Sequence, residues 1–133
     1  GEHAMPTHIN DPVIETGDAP FSPIVCDDRY AFLSGIVATD MRGGGDTVGD
    51  IGAETRLVMN TIRHLLATID LTMEQIVRVE VHLTDLDDMD AMNAVYREFF
   101  AQGRSPARTT TQSTRLAGGS NVEITCMAQL HQD

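Results

Sequence analysis

The chain has 133 residues, a net charge of −11 and an apolar content of 41%, which fits one folded domain with its own core. Such a surface repels phosphate backbones and anionic membranes, which disfavours both as partners. All nine basic residues are arginine; without lysine, Schiff-base chemistry on a lysine and a Walker-type phosphate loop are excluded.

The opening Gly-Glu-His-Ala-Met reads as an expression-tag remnant over 1–5, ahead of a single domain over 6–133. "FSPIVCDDRYAFLSGIVAT" predicts two short strands, about 21–26 and 30–38, joined by a polar turn at Asp27 and Asp28. "DMRGGGDTVGD" is a flexible loop, because three consecutive glycines oppose any regular element. From Asp50 to about Ile69 an amphipathic helix is expected. Its apolar residues Ile51, Val58, Ile62, Leu65, Leu66 and Ile69 recur at helical spacings, and Asp50 stands at the N-cap. "QIVRVEVHLTD" then switches to period two, with Val77, Val79, Val81 and Leu83 on one side and Arg78, Glu80, His82 and Thr84 on the other. "LDDMDAMNAVYREFF" predicts a second helix, started by Asp87 and Asp88 and striped by Met89, Met92, Tyr96 and Phe99. Two strands close the chain, about 107–115 and 121–130, with a turn at Gly118 and Gly119. The order hairpin, helix, strand, helix, two strands predicts an α+β fold: one sheet with two helices on one face.

Metal and nucleophile chemistry find little support. The histidines lack helical i, i+4 spacing, the two cysteines lack zinc-ligand spacing, and the run Asp85, Asp87, Asp88, Asp90 has neither the glycine nor the final glutamate of a calcium loop. No Gly-x-Ser-x-Gly elbow is present. Cys26 and Cys126 sit in strands and read as buried free thiols; with no leader or long apolar run, a reducing cytoplasm is expected. What remains is Arg108, at the start of a strand, and Glu123, on the polar side of the last one. Periodicity allows two readings: paired charges on the solvent side of the sheet, or the two walls of a cleft. In the second, arginine's planar fork would grip a carboxylate and the glutamate would orient or deprotonate a water.

Several stretches resemble the Rid family, the YjgF-like reactive intermediate deaminases. "APFSP" stands where the family has Gly-Pro-Tyr-Ser-Gln, "FLSGI" matches its Val-Ser-Gly-Gln segment, and "VEVHLTDLDDMDAMNAVYREFF" matches its strand-then-helix signature. "PARTTTQSTRLAGGSNVEI" matches its C-terminal pattern of Pro-Ala-Arg-Thr, Leu and Val-Glu-Ile. The resemblance implies a mixed sheet of the bacterial chorismate mutase type and a homotrimer with a ligand cleft at each subunit boundary. It also implies hydrolysis of imines or enamines to ketones and ammonia without metal or cofactor. By position, Arg108 would grip the substrate carboxylate and Glu123 would hold the attacking water. Phe21, Ser34, Gly35, Asn93 and Thr110 would line the substrate. Phe21 replaces a tyrosine, Pro23 a glutamine and Thr125 a second acidic residue. These departures point to a substrate other than simple amino-acid imines, such as 2-aminomuconate, or to a trimer that binds small carboxylates without turnover.

Overall fold

The structure, a computed structural model, describes residues 5–131; residues 1–4 of the expected tag remnant lie outside them. Six strands form one sheet: β1 (Thr7–Ile9), β2 (Ile24–Cys26), β3 (Tyr30–Leu33), β4 (Ile76–Leu83), β5 (Ala107–Gln112) and β6 (Val122–Gln129). Their order is β1-β2-β3-β6-β4-β5. Every neighbouring pair is antiparallel except β4 and β5, which run parallel because the helix between them carries the chain back. The sheet is therefore mixed, as expected. α1 (Ile51–Ala67) and α2 (Met89–Tyr96) supply the second layer.

The periodic segments fold as their patterns dictate. Asp50 caps α1 by accepting from the Ala53 amide at 3.1 Å. Val58, Ile62, Leu65 and Leu66 are buried against the sheet. On β6, Val122, Ile124, Cys126 and Ala128 are buried while the residues between them are not. Tyr96 and Met92 carry the apolar stripe of α2 into the same core.

Other expectations need correction. Val77 does not join the buried side of β4. Ile76 pairs with Ala128 and Arg78 with Met127, so Val77 is the extra residue of a bulge and Ile76 takes its place in the core. The hairpin strands are shorter than expected: β2 begins only after Pro23 and β3 stops at Leu33, since the Ser34 amide still donates to the Pro23 carbonyl in register but proline has no N–H to return the bond. Beyond that break Ile36 makes a single bridge to Ile124. β5 ends at Gln112, and β1, a three-residue edge strand, was not anticipated. The second helical segment is three pieces, with short 3-10 turns over Leu86–Asp88 and Arg97–Phe99 flanking α2. Its entry is capped by Asp85, whose side chain accepts from the Asp87 amide, and not by Asp87 or Asp88. The glycine-rich loop is packed and not merely flexible. Gly44 is buried, and a Cβ there would fall 1.7 Å from the Ala38 carbonyl oxygen. Cys26 and Cys126 are both free thiols.

One buried charge escaped the pattern. Glu54 on α1 is fully buried, and its carboxylate accepts from the Asn121 amide at 2.8 Å, from Asn121 Nδ2 at 2.9 Å and from the Gly49 amide at 3.2 Å. Three N–H donors replace water around the anion and fasten α1 to the start of β6.

Candidate active site

Arg108 sits on the edge strand β5, registered with Val79 of β4, so it points to the helix-covered side of the sheet. There α2 receives it. Nη1 of Arg108 donates to Asn93 Oδ1 at 2.8 Å, and the guanidinium carbon lies 4.8 Å from the centre of the Tyr96 ring. Asn93 and Tyr96 are three apart, hence on one face of the helix, and together they hold the cation by a hydrogen bond and a cation–π contact. Tyr96 is only 5% exposed and its hydroxyl has no hydrogen-bond partner. Burial pushes its pKa up to about 12, although the neighbouring Arg108 charge works the other way; near neutral pH it remains a phenol. Asn93, Tyr96, Arg97, Ser105, Pro106 and Arg108 line an open cavity of about 240 Å³. Thr110, two residues along β5, projects to the same side; its hydroxyl is buried without a partner.

Glu123 belongs to a different surface. It is registered with His82, whose neighbour on β5 is Thr111, and these three point to the face that no helix covers. Gly35 lies against it. A Cβ at position 35 would stand 2.9 Å from Thr125 Oγ1 and 3.0 Å from the Glu123 carboxyl carbon, so only glycine lets the backbone approach this closely. Ser34 does not reach toward Glu123. Its hydroxyl donates to the Ser22 carbonyl at 2.6 Å and its amide to the Pro23 carbonyl at 3.0 Å. This double tie holds the loop carrying Phe21, which is 41% exposed. The same face exposes Phe32, also 41% accessible, beside Met127.

The proposed site residues thus fall into two groups on opposite faces of one sheet. Arg108, Asn93 and Thr110 share the first; Glu123, Gly35 and the loop of Phe21 tied by Ser34 form the second. Within one chain the two charges neither pair nor share a cavity, so neither reading left open by periodicity describes a single subunit. Sequence reasoning placed Tyr96 in the apolar stripe and missed its contact with Arg108. The available signal was its i, i+3 spacing from Asn93. Arg97, at i+4 from Asn93, was missed for the same reason.

Comparison with known proteins identifies the family. The family described as Endoribonuclease L-PSP matches residues 15–130. The chain is 32% identical over 112 residues to the 3-aminoacrylate deaminase RutC of Acinetobacter baylyi, covering 84% of this chain and 88% of that protein. It is 30% identical over 109 residues to a RutC family protein of Pyrococcus horikoshii, covering 82% and 86%. The structure of YyfA from Yersinia pestis, described as a protein of unknown function of the conserved Rid family, superposes with a TM-score of 0.87 at 25% identity, over 95% of this chain and all of that one. The chain belongs to the Rid family. Within this Rid protein, Phe21 and Pro23 occupy the loop tied by Ser34, and Thr125 stands with Glu123 against Gly35, so none of the three departures noted from the resemblance lines the Arg108 cavity. No helix among the described residues is long and apolar enough to cross a membrane.

Proposed function

We propose that this Rid protein hydrolyses 2-imino or enamine carboxylates to 2-oxo acids and ammonia, in clefts between the subunits of a homotrimer. The observation that carries this reading is the Arg108 cradle. One nitrogen of the guanidinium is committed to Asn93 and the ring of Tyr96 fixes its plane, which leaves donors facing an open cavity in a protein of net charge −11. A planar pair of N–H groups matches a carboxylate. Such a charged hydrogen-bonded contact is worth about 1.5–3 kcal/mol.

Glu123 enters from the neighbouring subunit. What supports a shared site is the opposite projection of the two residues and the exposure of Phe32, paired with Met127, at the centre of an uncovered face whose β4 and β5 side is polar. A mixed sheet of the chorismate mutase type, packing its open faces around a threefold axis, would bring the Glu123 surface of one copy to the Arg108 cavity of the next. The two free cysteines suit a reducing cytoplasm.

In the reaction, Arg108 binds the carboxylate of the protonated imine and so fixes the electrophilic carbon. Glu123 accepts a hydrogen bond from a water and takes its proton as the oxygen attacks that carbon. The C=N π electrons move to nitrogen, giving a carbinolamine. Its nitrogen, once protonated from Glu123, leaves as ammonia while the hydroxyl becomes the ketone, and its released proton accompanies the ammonia as ammonium. The iminium is already electrophilic, so positioning is the main requirement. Substrates of the 2-aminomuconate type belong to the same reaction class. The name of the matching family suggests RNA cleavage instead, but the charge of −11 opposes a phosphate backbone.

The test is release of 2-oxo acid and ammonia from freshly generated 2-imino acids by wild type, Arg108→Ala and Glu123→Gln. Wild-type turnover with both variants folded and at least about tenfold slower upholds the reading. Wild-type inactivity with retained 2-oxo acid binding would favour a carboxylate-binding trimer, and unchanged rates in the variants would overturn the assignment of both residues.

A further inference from the structure

Two of the six residues around the Arg108 cavity are arginines, and the proposed reaction uses one. We infer that Arg97 is a second anion-binding group of this cavity, selecting substrates that carry a second carboxylate away from the imine. The inference rests on the reading of Arg108 as the first carboxylate anchor.

Both arginines are fixed to the same residue. Arg108 Nη1 donates to the side-chain oxygen of Asn93 at 2.8 Å, and Arg97 Nε donates to its main-chain oxygen at 3.2 Å. The Arg97 bond alone is an ordinary terminal contact of α2, since the residue is four positions past Asn93. It uses only Nε, however, and it fixes the guanidinium at the wall of the cavity with both Nη groups undirected. Among the described residues no carboxylate stands within 4.0 Å of either arginine, although the chain carries 20 acidic residues.

The two cations differ in depth. Arg108 is half-buried under Tyr96, whereas Arg97 is exposed at the rim. A ligand held by both would put its 2-carboxylate inside and its distal carboxylate outside. Ser105 adds a further polar residue to the lining of the same cavity. A cavity of about 240 Å³ suits a short chain, smaller than the usual drug-sized site. The charge argument runs the same way. A dianion is repelled by a protein of net charge −11 more strongly than a monoanion, so its entry requires a local excess of cations. The chemical class is a four- or five-carbon imino dicarboxylate, of the kind formed by oxidation of an acidic amino acid.

The test compares 2-iminoglutarate with 2-iminobutyrate in wild type, Arg97→Gln and Arg108→Ala. In Arg97→Gln, kcat/KM for the dicarboxylate should fall roughly five- to tenfold, mainly through KM, with the monocarboxylate unchanged within about twofold. Arg108→Ala should impair both. An equal loss on both substrates in Arg97→Gln assigns the residue to the helix end alone and overturns the inference, as does no loss on either. Calorimetric binding of 2-oxoglutarate against 2-oxobutyrate reads the same preference without turnover. If wild type lacks activity yet loses the dicarboxylate preference in Arg97→Gln, the reaction is wrong and the site stands. If wild type binds both acids equally, the inference falls.

Discussion

The two faces of the sheet treat a charged side chain in opposite ways. On the covered face, Arg108 is held before any ligand arrives, by Asn93 at 2.8 Å and the Tyr96 ring at 4.8 Å. On the open face, the Glu123 carboxylate receives no hydrogen bond from any described residue, and it lies against the space left by Gly35. The cation is preorganised by a helix. The carboxylate is kept accessible by the absence of a side chain. A rigid anchor suits binding, and an unencumbered acceptor suits a water that must be oriented and then deprotonated.

The sharpest way to break this comparison is to separate the halves. Arg108→Ala and Glu123→Ala should each lose most activity. Refolded together they should recover up to about a quarter of the sites, because that share of subunit boundaries pairs an intact arginine with an intact glutamate. Assays of the mixture against the separate variants decide this, and a mixture that stays inactive shows that Glu123 does not complete the Arg108 site across a subunit boundary.

Gly35→Ala probes the open face alone. Its Cβ would crowd Thr125 and the Glu123 carboxylate, so kcat should fall about tenfold while 2-oxo acid binding at Arg108 persists. Equal loss of binding and turnover would mean that the two faces do not act separately.

Glu54→Gln probes the support beneath β6. The new amide group meets N–H donors from Asn121 or Gly49 where an anion had accepted from them, at a cost of about 1–3 kcal/mol in urea unfolding. Turnover should suffer more than ligand binding, because β6 carries Glu123 and not Arg108.

The smallest effect concerns the covered side. Burial pushes the Cys126 thiol from 9.0 up to about 12 and the Tyr96 phenol from 10.0 up to about 12. The unfolded chain therefore releases these protons first. Stability contributed by the protonated groups is complete below about pH 8 and declines as pH rises through 9 and beyond. From pH 8 to 9.5 the Cys126 share of the loss should stay below about 1 kcal/mol, and Cys126→Ala should flatten the decline in urea-unfolding midpoints.

The residues on each side of this comparison were legible to different degrees. Alternation on β6 separated Glu123 from Val122 and Ile124, and helical spacing delivered both helices, because these patterns are local. Which face of β5 meets a helix was not local. It depends on the register of Arg108 with Val79 and on the return of the chain through α2. The bulge at Val77 shifted the parity of β4 without any glycine or proline to mark it. Glu54 did leave a trace, since it lies four residues before Val58 on the apolar stripe of α1. A carboxylate at such a position requires donors, but nothing nearby in sequence says that Asn121 provides them. The family motifs point to the proposed site residues yet not to their separation, because a motif lists positions along a chain and says nothing of faces.

Under the proposed function, the opposite projection of Arg108 and Glu123 would also make concentration a variable of the chemistry. In a shared cleft, an isolated subunit owns two half-sites and no whole one. Dilution below the dissociation constant of the assembly would then act as a reversible inhibitor, and the specific activity of this small protein would read out its own assembly.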